Sequence, residues 1–353
     1  MQFQLFNEID IEGTPGEFQA AHKEKTKEVA QFRSFILGDA ELRRTTPLAD
    51  LVKQRALFNE SGEIAKTEEN DGDEGDSKGQ LLKWVGNKRR FADEIVSYFP
   101  EDYGTYFEPF LGSGAVWAAL APKTAHASDI FTPLIEIWRT LQDDPEKLKH
   151  WYIDRWNLMM GGNKVEVYEN IKASYNARPN AADLLFLSRS CYGGVVRFRK
   201  RDGYMSTPCG PHKPMLPETF IRIVDKWNQI ATGTTFARMD YTGAMNMARE
   251  GDLIYCDPPY TCSQSILYGA QSFNLRGLFA EIRKCKACGV RVALSIDGTK
   301  KSGNTVCKVP IPEGLFEREI LVNCGGSMLK RFQMDGRTME EEVIADRLLL
   351  TYS

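Results

Sequence analysis

Two hydrophobic patterns alternate along this chain. Short apolar runs bounded by turn residues read as buried strands, and longer segments with apolar residues three or four apart read as helices. Thr105-Tyr106-Phe107-Glu108-Pro109-Phe110 predicts a strand running into a turn, after a helix that ends near Tyr98. Leu111-Gly112-Ser113-Gly114-Ala115 then opens a helix to Leu120, and Thr124-Ala125-His126-Ala127-Ser128 predicts a second strand ending at Asp129. Ile130 to Leu141 is again helical. Strand, glycine-rich turn, helix, strand and acid outline a right-handed βαβ unit. From Pro145 to about Thr235 the alternation stops. It holds a helical part (Leu148 to Tyr175), the run Leu184-Leu185-Phe186-Leu187, and a Gly- and Arg-rich stretch. Alternation resumes at Thr235-Phe236-Ala237-Arg238-Met239 and continues through Asp252-Leu253-Ile254-Tyr255-Cys256, a helix from about Leu275 to Cys288, and Val290 to Ile296. Phe316 to Asn323 and Ile344 to Thr351 predict two final strands. The expected fold is α/β, a doubly wound sheet over 81–144 and 236–353, interrupted by a module at 145–235.

The first 80 residues differ. Thr14-Pro15-Gly16-Glu17 and Thr46-Pro47 resemble helix starts, and the apolar spacing after each predicts a small helical extension over 1–60. Residues 61–80 crowd Glu68, Glu69, Asp71, Asp73, Glu74 and Asp76 with almost no apolar side chains, which predicts a flexible acidic linker.

Composition narrows the class. In 353 residues no apolar run approaches the ~20 residues of a membrane span, and Met1 to Phe6 lacks a secretory pattern. The eight cysteines are scattered, several within apolar segments, so reduced thiols and a cytoplasmic location are expected. A net charge of −3 argues neither for nor against nucleic acid.

The candidate chemistry centres on Asp257-Pro258-Pro259-Tyr260. A carboxylate at the C-terminal tip of a buried strand sits where open α/β sheets bind ligands. The two prolines stiffen the exit and leave carbonyls with no local N–H to pair with. Acid, free carbonyl and aromatic face together suit a planar ring with an exocyclic amino group. A plain strand end with a proline turn and a surface tyrosine fits these four residues as well. Gly112-Ser113-Gly114 permits close backbone approach to a ligand, but it is neither the dinucleotide fingerprint nor a Walker A loop. Asp129 at a strand end can accept from ribose hydroxyls or cap a helix.

Taken in order, Lys83-Trp84-Val85-Gly86-Asn87-Lys88, Phe107-Glu108-Pro109-Phe110-Leu111-Gly112-Ser113-Gly114, Asp129 and Asp257-Pro258-Pro259-Tyr260 resemble the Dam-type DNA adenine methyltransferases over about residues 81–353. That resemblance implies a Rossmann-like methyltransferase sheet with an inserted target-recognition module. It also implies S-adenosylmethionine as cofactor, and transfer of its methyl group to the exocyclic N6 of adenine in double-stranded DNA. Asp257, Pro258, Pro259 and Tyr260 would be catalytic. Trp84, Lys88, Glu108, Pro109, Phe110, Gly112, Gly114, Asp129, Asp240, Tyr241 and Asp257 would bind the cofactor. Asp257 and the Pro258 carbonyl would accept from the adenine amino hydrogens, and Tyr260 would stack on a flipped base. Two alternatives stay open: methylation of the cytosine amino group, and a catalytically silent DNA-binding relative.

The segment 189–213 carries six Lys or Arg against one acid, Asp202. Arg197-Phe198-Arg199-Lys200-Arg201-Asp202-Gly203-Tyr204 predicts a hairpin with Asp-Gly at its turn. Arg189, Arg199, Lys200 and Arg201 are expected DNA contacts, a solvated charged loop being the plainer reading; Tyr192 and Arg197 join them because Tyr192-Gly193-Gly194 and Arg197 resemble a loop and an arginine that the family has before such a hairpin. Cys285-Lys286-Ala287-Cys288 has no second Cys/His pair, so no metal is expected. Pro208-Cys209 lacks the companion motif of the cytosine-ring enzymes.

Overall fold

The computed structural model describes residues 79–84, 86–199, 201–259, 273–300, 305–306, 309–326 and 343–353. These belong to the unit Ser77–Ser353. The helices predicted in 1–60 and most of the predicted linker lie outside the described residues.

After a short helix α1 (Ala92–Val96) the chain builds β1 (Tyr106–Glu108), α2 (Ala115–Leu120), β2 (Ala125–Asp129) and α3 (Thr132–Asp143). Four helices follow: α4 (Pro145–Gly161), α5 (Lys164–Ala177), α6 (Ala181–Ser190) and α7 (Pro217–Ile230). The sheet then resumes with β3 (Thr234–Arg238), a short α8 (Tyr241–Met245), β4 (Leu253–Cys256), α9 (Leu275–Ala287), β5 (Arg291–Lys300), β6 (Thr305–Val306), β7 (Arg318–Gly326) and β8 (Val343–Leu350). Each strand predicted from the apolar runs is present, within a few residues at its ends.

Strand order is β3-β2-β1-β4-β5-β8-β7, with the short β6 pairing beside β5. The pairs β3/β2, β2/β1, β1/β4 and β4/β5 are parallel, whereas β8 is antiparallel to both β5 and β7. Every residue of β1 and β4 is buried, as expected for parallel strands covered on both faces. The last strand turns back to pair inside the penultimate one. Its Leu348, Leu349 and Leu350 are fully buried, while Leu321 on the edge strand β7 is exposed. The more apolar strand takes the central place because burial stabilises it more.

The sequence reversal falls between β1 and β4: β2 and β3 lie on one side of β1, β5 on the far side of β4. In open α/β sheets such a reversal leaves a crevice outside the carboxyl ends of the two strands. Glu108 ends β1 and Asp257 follows β4, so both acids open onto it.

Within the insertion, the single helical part predicted over 148–175 is two helices. Gly161 and Gly162 end the first, and the Asn163 side chain accepts from the amides of Val165 and Glu166 to start the second. The run Leu184 to Leu187 lies in α6, all ten residues of which are buried, so its pattern shows no helical period. Arg155 of α4 donates to Asp183 of α6 through Nε (2.8 Å) and Nη2 (2.6 Å). Helix α7 also serves the sheet. Its Trp227 packs on Trp138 of α3 at 5.5 Å, and Trp138 stacks on Phe236 of β3 at 5.8 Å.

Arg155 and Asp183 are both buried (4% and 1% exposed). Asp183→Ala should destabilise the fold by about 3–5 kcal/mol, because it strands a buried guanidinium. Chemical denaturation against the unsubstituted protein measures this.

Candidate active site

The exit from β1 sets the first wall. Gly112 (φ 49°) and Gly114 (φ 63°) occupy the left-handed region. A Cβ on Gly112 would lie 3.3 Å from the Trp84 ring, and one on Gly114 would lie 3.1 Å from Trp138. Glycine is needed here for conformation and for space. The Asp129 carboxylate, at the tip of β2, accepts from the Gly112 amide (3.2 Å) and the Phe131 amide (3.0 Å). It therefore fastens the β1 exit loop to the end of β2. Burial raises its pKa above the ordinary carboxylate value against these hydrogen bonds, which lower it.

The exit from β4 sets the second wall. Asp257 Oδ1 lies 2.7 Å from Lys88 Nζ, and Asp346 Oδ2, from β8, lies 3.6 Å from the same nitrogen. Lys88 is 3% exposed, so its ammonium is held in the interior by two carboxylates. Glu108 is equally buried and accepts from the Tyr106 hydroxyl at 2.6 Å. Burial is the main cause that pushes its carboxyl up to about 8, with the nearby Asp257 charge adding to the rise and the Tyr106 hydroxyl opposing it. Glu108 is thus mostly a neutral acid at pH 7. Tyr255, two residues before Asp257 on β4, bonds Ser295 of β5 at 2.9 Å and lines the same space.

Aromatic rings close the outer side. Phe110 stacks on Tyr241 at 5.5 Å, and Phe273 meets Phe110 edge-on at 5.8 Å. Trp84 and Phe131 face each other at 6.2 Å. Asp240 caps α8 by accepting from the Gly243 amide at 2.8 Å. The cavity so enclosed has a volume of about 340 Å³, within the ~300–1,000 Å³ of small-molecule sites.

Trp84, Lys88, Glu108, Pro109, Phe110, Gly112, Asp129, Asp240, Tyr241, Asp257 and Pro259 all line this one cavity. Gly114 and Pro258 are not among its lining residues, although their chain neighbours are, and Tyr260 lies outside the described residues. Sequence reasoning missed Phe131, Tyr255, Phe273 and Asp346. Tyr255 had a signal, since residues two apart on a strand share a face. Asp346 had none, because nothing local ties the last strand to Lys88.

The predicted hairpin is present. Arg199 N donates to Tyr204 O (2.9 Å), Ser206 N to Arg197 O (3.0 Å) and Gly203 N to Arg199 O (2.8 Å). Arg197 and Arg199 face solvent while Phe198 between them is buried, with its ring 5.6 Å from Phe131. Arg199 pairs with Asp202 at 2.9 Å and lies over the Tyr204 ring, Arg201 is 83% exposed, and Tyr192 is 39% exposed. Lys200 lies outside the described residues. Arg189 corrects its expectation as a DNA contact. It is 7% exposed and spends its Nη1 on the carbonyls of Gln80 (2.5 Å) and Leu81 (3.0 Å), inside the protein. With Trp227 Nε1 on the Gly79 carbonyl at 2.7 Å, it anchors the strap that leads to Trp84 and Lys88. Gly79 and Gln80, counted with the flexible linker from their sequence, are therefore held in place.

Among the described residues no group of three or more His, Cys, Asp or Glu is placed to hold a metal, and no helix is long and apolar enough to cross a membrane.

A mainly parallel sheet in this order, with a ligand-sized cavity at its reversal, makes the fold that of a Rossmann-like methyltransferase. The chain belongs to the D12 class N6 adenine-specific DNA methyltransferase family, whose model matches residues 84–300. It is 28% identical over 191 residues to the type II methyltransferase M1.LlaDCHI of Lactococcus lactis subsp. cremoris, covering 51% of this chain and 65% of that protein. It is 31% identical over 188 residues to the retron Ec67 DNA adenine methylase of Escherichia coli, covering 51% and 63%. A DNA adenine methylase of Vibrio cholerae is 28% identical over 238 residues, covering 61% and 80%. The chain thus spans somewhat under two-thirds of the first two relatives.

Glu108 makes a pH prediction. Its folded pKa (about 8) stands above its ordinary value of 4.5. The folded state therefore keeps a proton that the unfolded state releases, and stability should fall as pH rises from about 5 to 8. Glu108→Gln should flatten that slope in thermal melts recorded across the range. A slope equal to that of the unsubstituted protein would contradict the assignment.

Proposed function

We propose that this protein is a site-specific DNA methyltransferase that uses S-adenosylmethionine to methylate the exocyclic N6 of adenine in double-stranded DNA. The observation that carries the reading is Asp257, 2.7 Å from buried Lys88, at the carboxyl end of β4 where the sheet order reverses. The residues fit the cofactor. Asp129 keeps lone pairs beyond those taken by the Gly112 and Phe131 amides, in place for ribose hydroxyls. The Phe110, Tyr241 and Phe273 rings offer flat apolar surface for an adenine. Lys88, while still paired with Asp257, offers a positive charge to the carboxylate of the amino acid group.

Bound there, S-adenosylmethionine supplies a methyl group on a positive sulfonium. The protein's part is positioning and electrostatics. The amino nitrogen of adenine is a weak nucleophile because its lone pair is delocalised into the ring. Asp257 and the Pro258 carbonyl accept from its two hydrogens, which localises the lone pair and steers it at the methyl carbon. The Asp257 charge would also stabilise the positive charge that grows on nitrogen as the methyl–sulfur bond breaks to leave a neutral thioether, and the methylated nitrogen would then lose one proton to solvent. Tyr260 stacks on the flipped base, which the outward Arg197, Arg199, Arg201 and Tyr192 help to extract by holding the duplex backbone.

Two outcomes test the reading. Incubation with unmethylated genomic DNA and S-adenosylmethionine should yield N6-methyladenine on nucleoside analysis, and Asp257→Ala should yield none; near-normal turnover in that variant would sink the mechanism. Charge reversal at Arg199 and Arg201 should weaken binding to DNA of any sequence. It should also flatten the plot of log K against log salt, by about 0.9 for each phosphate that is no longer neutralised. Unchanged binding would return the hairpin to a solvated loop.

A further inference from the structure

We infer that Asp346 is a positioning residue for the reaction, the carboxylate that takes over the Lys88 ammonium when Asp257 is needed by the target base. The inference rests on the reading of Asp257 given above. That reading asks the Asp257 carboxylate to accept from the adenine amino group. In the structure one of its oxygens is engaged by Lys88 at 2.7 Å. Lys88 is 3% exposed, so its ammonium cannot turn to bulk water when Asp257 changes partner. Asp346 presents a second carboxylate to the same nitrogen, at 3.6 Å, and is itself only 8% exposed. It comes from β8, opposite Asp297 of β5 and Val322 of β7, in the interior of the sheet. Strands on both sides fix the backbone that carries it, so the second carboxylate is built into the framework rather than borne on a loop. A small movement of Nζ from Asp257 towards Asp346 exchanges one ion pair for the other. No charge is stranded in the interior, and Asp257 is released towards the cavity.

The inference separates Asp346 from a merely structural acid. Asp346→Asn should lower the single-turnover methyl-transfer rate on DNA by about 10–100-fold, the scale of a misplaced reacting group. Equilibrium binding of S-adenosylmethionine measured without DNA should change by less than about threefold, since no exchange is required until the base arrives. Asp346→Glu, which keeps the charge, should recover most of the rate. If Asp346→Asn does not fold, the pair Lys88→Met and Lys88→Met/Asp346→Asn decides. Removal of both charges leaves no unpaired ammonium, so the double variant should fold and transfer at the rate of Lys88→Met alone. A rate for Asp346→Asn within twofold of the unsubstituted protein overturns the inference. So does an equal loss in rate and cofactor affinity with a lowered melting temperature, or a further loss in the double variant. If Asp257→Ala stays active, the reading of Asp257 fails. If Asp257→Ala is dead while Asp346→Asn is unimpaired, the role of Asp346 alone fails.

Discussion

An ammonium buried to 3% exposure is a costly object, and the arrangement around Lys88 answers that cost. A charge taken out of water loses several kcal/mol of solvation, which carboxylates at close range offset. Lys88 meets Asp257 from the end of β4 and Asp346 from β8. The segment that carries Lys88 precedes the sheet in the chain and is bound to it through these two ion pairs. The same pairs aim Asp257 at the crevice between β1 and β4. A displaced Lys88 would pull apart charges that meet away from water, so the geometry of the proposed site and the docking of its strap are one problem with one solution.

The strap extends this dependence to the inserted helices. Arg189 of α6 holds the Gln80 and Leu81 carbonyls, and Trp227 of α7 holds that of Gly79. A few residues on, Trp84 and Lys88 reach the cavity. A second link runs through rings: Phe198 of the hairpin packs on Phe131, which faces Trp84 across the cavity wall. Along the hairpin, side chains alternate between solvent and interior, as a β-ribbon requires. Its arginines therefore look outward to the proposed DNA surface while its phenylalanine touches the wall of the proposed cofactor site. Both proposed ligands thus act on one packed set of side chains.

The sheet and much of the cavity were legible in the residues. Fully buried parallel strands are written as short apolar runs, and β1, β2, β3, β4 and β5 all stand where such runs predict them. The exits of these strands are written as Glu108-Pro109, Gly112-Ser113-Gly114, Asp129 and Asp257-Pro258-Pro259. An α/β sheet brings strand ends together, so these acids and glycines needed only the sheet to become neighbours. Less legible was the insertion, where α6 is buried on all sides and carries no period, and where Arg189 looked like one more surface cation.

The sequence by itself determined the strands of the sheet, the order of the strand-end residues and the hairpin with its turn, because each depends on residues within a few positions of one another. Tertiary structure alone decided that β8 lies between β5 and β7, that Asp346 reaches Lys88, and that Arg189 faces inward to the strap. Those outcomes join residues far apart in the chain. Burial and charge pairing settle them only once the whole sheet and its helices are packed, and no local pattern records that competition.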